Sequence, residues 1–327
     1  MTLGNHSTIT EFILLGLAAD SRIQVLLFVL FLGIYLMTMI GNLMMLLVIR
    51  VDSHLHSPMY IFLNHLSFTD LCLSSVTVPK MLENLLSQRK SISVEGCMAQ
   101  VFFVFATIGT EACVLAVMAY DRYAAICHPL IYGQIMSEQL CRVLVWASWG
   151  LGFLDALINT LLAWNLDFCE VHAMPHFSCE LPSLFPLSCS NVSINFAVMI
   201  CSAILHALGT LLLIFFSYAH IIATILSISS TTGRSKAFST CSSHLTAVSF
   251  FYGSAILRYL MPTLSSSLEL FFSMQYSVVT PLVNPLVYSL KNKEVKAALK
   301  RMFQKDFQQI AENRQRMDGK SDRIASK

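Results

Sequence analysis

Long stretches of this chain carry no Asp, Glu, Lys or Arg for longer than a bilayer is thick. Three strong spans read this way run between Arg22 and Arg50, between Lys236 and Arg258, and between Glu269 and Lys291. A spanning helix needs about 20 mostly apolar residues, each adding about 1.5 Å, to cross roughly 30 Å of hydrocarbon. Four further apolar runs are broken by a few ionisable residues: 57–85 around Asp70, 97–120 around Glu111, 143–164 around Asp155, and 194–226 with His206 and His220. The expected number of spans is therefore seven. Charged residues are only 12% of the chain, about half the fraction in a soluble domain. Backbone groups in lipid must bond within their own segment, and runs of this length imply helices, since barrel strands are shorter and alternate. The fold class read from this pattern is an all-α membrane protein, a seven-transmembrane helix bundle. Residues 292–303 alternate Lys with apolar positions, Val295, Leu299, Met302 and Phe303 falling on one side. They are expected to form a short amphipathic eighth helix on the membrane surface.

The division expected is a tail over 1–22, a bundle over 23–291 and an amphipathic helix with a tail over 292–327. Basic residues are retained on the cytoplasmic side. With an outside N-terminus, sixteen of the twenty-one Lys and Arg fall inside, eleven of them from Lys291 onward. The N-terminus is therefore expected outside and the C-terminus in the cytoplasm, in a multi-pass protein of the plasma membrane. The net charge of +2 hides this asymmetry and implies no nucleic-acid partner; a basic tail beside an anionic leaflet is the economical reading. The first apolar run is too long for a signal peptide and reads as a retained signal-anchor. Asn5-His6-Ser7 is an expected glycosylation sequon on the outer tail. A second sequon at Asn191 lies so close to the membrane that no modification is expected there. Cys97, Cys169, Cys179 and Cys189 fall on the oxidising side, enough for two bridges, and spacing alone leaves three pairings open.

No nucleophile-base pair and no full metal set falls within one compartment, so no enzyme, metal or cofactor is expected. A membrane transporter or channel is the main reading from another class; such proteins often show inverted repeats or broken helix pairs, and neither feature is visible. A retinal-linked pump needs a lysine in the last span, which residues 270–290 do not contain. The third run ends in MAYDRYAAICHPLIY at 118–132, an acid beside a base at the membrane border, where an uncompensated pair is costly. The chain also carries GN at 41–42, LHSPMYIFLNHLSFTDLC at 55–72, SY at 217–218, KAFSTCSSHLTAVSFFYG at 236–253 and PLVNPLVYSLKNKEV at 281–295. In this order, and over residues 10–303, these motifs closely resemble the odorant receptors, a branch of the rhodopsin-like G-protein-coupled receptors. The departures are small: Lys291 stands where an Arg is usual, and Glu180 follows Cys179 where Asp is common.

The resemblance implies a receptor for small volatile molecules that activates a stimulatory, olfactory-type G protein and raises cyclic AMP. A rhodopsin-like receptor for a non-olfactory small molecule is the nearer rival. By the same resemblance Asp121, Arg122 and Tyr123 belong to the coupling end, Asp121 neutralising Arg122 at rest, with Tyr218 and Tyr288 able to turn toward it. Pro285 removes a helix donor, and the freed carbonyls need partners, for which Asn42, Asp70 and Asn284 are expected. Glu111 stands eleven residues before Arg122, about three turns along one helix face, at a level that suits Asp70. Facing carboxylates in low dielectric either share a proton or hold a cation; a switch and a merely structural pair are both open. Cys97 resembles the cysteine that bridges to the second outer loop, to Cys179 with Cys169 paired to Cys189, or alternatively to Cys189.

Helix phase in the outer half points to a ligand pocket lined by Val104, Phe105, Ile108, Gly109, Ser202, His206, Tyr252, Ala255, Tyr259, Met274 and Ser277. That lining suits a small, mostly neutral molecule. Seven residues after Cys97, where amine receptors place an Asp, the chain has Val104.

Overall fold

The computed structural model describes residues 10–17, 20–169, 173–260, 266–302 and 304. Seven long helical bodies run through them: α1 (Ser21–Val51), α2 (Pro58–Leu86), α3 (Val94–Cys127), α4 (Glu138–Trp164), α5 (Ser193–Ser227), α6 (Thr231–Leu260) and α7, which begins at Ser266 and ends at Lys291. Helix starts are written locally. Asp20 caps α1 through Arg22 N, Ser93 caps α3 through Gly96 N, and Ser137 caps α4 through Leu140 N. Pro58 opens α2 at a position where its missing donor costs nothing.

Six of these bodies are long and apolar enough to cross a membrane, and α6 is not among them. The sequence marks α6 as a strong span because it is charge-free, but freedom from charge is not apolarity. Its first half, TTGRSKAFSTCSS, is mostly hydroxyl-bearing, and the continuous apolar stretch begins only after His244. The helix therefore extends well beyond its apolar portion.

Burial sorts the bundle. In its most apolar window α3 is 67% buried and α1 only 11%, so α3 is the axis of the bundle and α1 lies at its rim. The outward faces carry apolar side chains such as Leu26, Trp146 and Phe215, the arrangement expected where lipid replaces water. Small residues let two helices close up: a Cβ on Gly152 of α4 would lie 2.6 Å from Ala106 O and 2.9 Å from Thr110 N of α3.

Two helices are broken by π-turns, at Ile204–Gly209 in α5 and at Gln275–Val279 in α7. Each shifts the helical phase of the residues beyond it, and such turns gather at functional sites.

At the Cys97 end of the bundle a three-stranded sheet ties the loops together, in the order β2 (Ser91–Ser93), β1 (Glu11–Leu14), β3 (Ala173–Met174). Phe12 pairs with Ile92 in the antiparallel ladder, and Leu14 pairs with Met174 in the parallel one. Residues 11–14 read from sequence as part of a tail. Their alternation is the missed signal, because Phe12 and Leu14 are fully buried while Ile13 faces outward. The Cys97–Cys179 and Cys169–Cys189 bridges fasten the long loop before α5. Gln100 adds to the first bridge, accepting from Cys179 N at 2.9 Å and donating to Val76 O at 3.0 Å.

At the other end a helix over residues 293–302 buries Val295 and Ala298 and exposes Lys293, Lys296 and Lys300. Asn292 caps it through Glu294 N. Arg301 reaches back to Asp52 after α1, its Nε and Nη2 lying 2.8 and 2.7 Å from Oδ2. Burial pushes the Asp52 carboxyl up, but hydrogen bonds from Arg301 and His54 outweigh it and bring it down to about 2. Phe303 and Asn5 lie outside the described residues.

Candidate functional site

Three polar places are strung along α3, and each is built by a different set of neighbours. The first is a cavity of about 60 Å³ in the Cys97 half, between α3, α4, α5 and α6. Of the residues expected from helix phase, Phe105, Ile108, Gly109, Ser202, His206, Tyr252 and Ala255 line it. Val104 does not; it turns into a cluster with Leu73 and Tyr276. Met274 packs against the group around Phe31 and Phe177, and Ser277 is buried with its hydroxyl on Ser273 O. The π-turn at Gln275 breaks the straight-helix phase that put Ser277 at the cavity. The side chain of Tyr259 lies outside the described residues.

Asp155, absent from the expected lining, is part of the wall. Its signal was the single charge interrupting the fourth apolar run. Asp155 Oδ1 accepts from Ser202 Oγ at 2.5 Å and Asn159 Nδ2 at 3.0 Å, and Oδ2 stands 3.5 Å from His206 Nε2. The π-turn of α5 carries His206. On the facing side Tyr252 OH lies 2.5 Å from Thr210 Oγ1. Apolar side chains of Met199, Phe251 and Ile256 complete the enclosure.

What closes the bundle beyond this cavity is a second group that the sequence did not announce. Arg258 of α6 is buried and donates from Nε to Glu180 Oε2 at 2.8 Å and from Nη2 to Ser183 Oγ at 2.8 Å. Tyr276 and Ser273 of α7 donate to the same carboxylate at 2.5 and 3.1 Å, and His176 Nε2 lies 3.1 Å from Ser273 Oγ. Burial pushes the Glu180 carboxyl up, but the Arg258 charge, His176 and the hydrogen bonds from Tyr276 and Arg258 together outweigh that and hold it below the usual range. In the count of Lys and Arg, Arg258 is one of the five left outside; here it is the pin between α6, α7 and the disulfide-bound loop.

The second place on α3 is a buried node at mid-bundle. Asn284 Nδ2 lies 3.2 and 3.1 Å from the two Asp70 oxygens and 3.3 Å from Glu111 Oε1, and all three residues are buried. Asn42 Nδ2 donates to Pro281 O at 2.9 Å. Pro281 is four residues before Pro285, so this is the carbonyl that the proline ring leaves without its helical donor. Gly41 allows the approach, since a Cβ there would stand 3.2 Å from the Pro285 ring.

The third place is a cavity of about 800 Å³ at the opposite end, lined by Asp121, Arg122, Tyr132, Tyr288, Asn292 and the hydroxyl-rich start of α6. Arg122 is buried, and its Nε has no hydrogen-bond partner among the described residues. The expected Asp121–Arg122 ion pair does not form among them; Asp121 Oδ1 accepts from Tyr132 OH at 2.7 Å instead. Tyr218 bonds His244 Nδ1 at 2.9 Å, and Tyr123 OH lies 3.0 Å from His128 Nε2. Tyr60 donates to Glu294 Oε2 at 2.6 Å, joining α2 to the last helix.

A family model described as Olfactory receptor matches residues 31–306. The chain belongs to the olfactory receptor family. Human Olfactory receptor 8S1 is 70% identical to this olfactory receptor over 90% of the chain and 82% of the relative. Human Olfactory receptor 8A1 is 50% identical over 92% of the chain and 93% of the relative. Squid rhodopsin shares the fold, with a TM-score of 0.70 at 17% identity over 87% of this chain and 86% of the other. This receptor is therefore a multi-pass membrane protein with a rhodopsin-like bundle, in a family of receptors and not of enzymes.

Proposed function

We propose that this receptor binds small, mostly neutral volatile molecules in the cavity between α3, α4, α5 and α6. Binding activates a stimulatory, olfactory-type G protein at the Arg122 end and raises cyclic AMP. In this reading the N-terminus is outside the plasma membrane and the C-terminus is in the cytoplasm, as the distribution of Lys and Arg favours. The observation that carries it is the size of the cavity. At about 60 Å³ it is smaller than the roughly 150 Å³ that houses a benzene ring, so a ligand must move a wall. One wall is α6, through Phe251, Tyr252, Ala255 and Ile256. The same helix borders the cavity around Arg122 through Ser235, Ser239 and Ser243. Displacing it at one end changes the room at the other, which is a population shift driven by ligand.

Between the two cavities, Asp70, Asn284 and Glu111 are the relay in this proposal, with Arg122, Tyr123, Tyr218 and Tyr288 as the coupling surface. The test is a volatile panel applied to cells with a cyclic-AMP reporter, beside Arg122→Ala at matched surface level. Concentration-dependent responses lost in the variant are expected. Ligand-gated currents without G protein would overturn the reading.

A further inference from the structure

We infer that the polar corner of the ligand cavity selects a hydroxyl group, so that the ligands of this receptor are alcohols or phenols with an apolar body. This rests on the receptor reading above and names the chemistry of its ligand. Apart from Asp155, Ser202, His206 and Tyr252, the cavity lining is apolar. Asp155 and His206 face each other across one corner, and their arrangement decides what that corner accepts.

One Asp155 oxygen is already occupied, taking hydrogen bonds from Ser202 at 2.5 Å and Asn159 at 3.0 Å. These fix the carboxylate and point its other oxygen at His206. The gap there, 3.5 Å from Oδ2 to Nε2, exceeds the roughly 2.7–2.9 Å of a charge-assisted bond. Among the described residues, the other His206 nitrogen meets Cys113 Sγ at 3.9 Å. The corner therefore offers one acceptor and one nitrogen side by side, held apart and imperfectly matched.

A hydroxyl oxygen both donates and accepts, so it bridges the two, donating to Asp155 Oδ2 and accepting from His206 Nε2–H. An ether or ketone accepts only and leaves the carboxylate unmatched. An ammonium donates only, so it pairs with Asp155 but offers nothing to the tautomer that places the His206 hydrogen on Nε2. A carboxylate sets like charge against Asp155. Because a polar group left without its partner is costly in an enclosed site, the discrimination falls on the head group and not on the carbon skeleton.

The experiment compares ligands built on a six-carbon ring or chain, on cells with a cyclic-AMP reporter: cyclohexanol, methoxycyclohexane, cyclohexanone, cyclohexylamine and cyclohexanecarboxylic acid, with hexanol, methyl hexyl ether, hexylamine and hexanoic acid as the linear set. Wild type, Asp155→Asn and His206→Phe are compared at matched surface staining. A bond to a charged group corresponds to roughly tenfold or more in potency. The alcohols are expected to be about tenfold or more stronger than the ethers on wild type, and that ratio is expected to shrink toward unity in both variants. Equal potency of alcohol and ether, or greatest potency of the amine or the acid, overturns the inference. So does a ratio that persists in both variants. Responses to other volatiles but to no member of either set overturn it and leave the receptor reading standing. No response to any compound from receptor present at the surface overturns both.

Discussion

At the scale of single residues, the clearest case of sequence dictating structure is the bond from Asn42 to Pro281 O. Pro285 can supply no N–H to that carbonyl, and burial forbids water from doing so cheaply. Replacing Asn42 by Ala is expected to lower stability by about 1–3 kcal/mol, the cost of an orphaned buried acceptor. Thermal unfolding of the receptor in detergent checks it, and a double-mutant cycle sharpens it. In a Pro285→Ala background the backbone donor returns, so the cost of Asn42→Ala should largely vanish. Full cost in both backgrounds would refute the assignment. The mid-bundle node is the second residue-scale case. Asp70→Asn, well expressed, is expected to alter basal and odorant-driven signalling at varied sodium, and an unchanged response would reduce the Asp70–Glu111 pair to a structural one.

At the scale of elements, α3 and α4 touch backbone to side chain because Gly152 lacks a Cβ. In Gly152→Ala the added carbon would run into Thr110 Oγ1 and would stand 2.6 Å from Ala106 O, and a carbonyl cannot step aside as a flexible side chain can. The expected cost is about 1–3 kcal/mol. The expected signature is loss of thermal stability together with weaker ligand response, since Gly109 of the cavity wall packs on the same residue; a Cβ on Gly109 would lie 3.2 Å from Gly152 Cα. Element existence was legible in sequence almost throughout, because bilayer thickness imposes a length that composition reveals. The π-turns were not. Nothing in ILHALG or QYSVV marks a one-residue slip in phase, and such a turn is stabilised by the side chains that pack around it.

At the scale of the whole molecule, Glu180 and Arg258 join the disulfide-bound loop to α6 and α7. Removing one member of a buried pair strands the other, at a cost of about 3–5 kcal/mol. Glu180→Gln and Arg258→Met are each expected to destabilise the receptor in a thermal unfolding assay by more than the double variant does. The pH dependence has a definite sign. The folded Glu180 carboxyl sits below its ordinary range, so its contribution is complete above an ordinary glutamate value of about 4.3. It is lost as pH falls through the lower, folded value. The stability difference between wild type and Glu180→Gln should therefore be constant from neutral down to about pH 5 and shrink only below that. A difference that already narrows near neutrality would contradict it.

The same molecule shows where sequence stops. Long apolar runs with few or no charges established the membrane and the seven helices, and the charges that interrupt or end the third run gave the α3 positions of Glu111 and Arg122, because helix length and phase are local properties. The family's motifs located Asn42, Asp70, Asn284 and Tyr288 one by one, without their mutual distances. Only the tertiary structure decided that Asp155 belongs to the cavity while Val104, Met274 and Ser277 do not. It alone decided that Asp121 bonds Tyr132 and that Arg258 is buried. Each of those outcomes depends on how helices distant in sequence rotate and close against one another. That rotation is set by a glycine contact, a π-turn or a shared carboxylate, and no single segment encodes it.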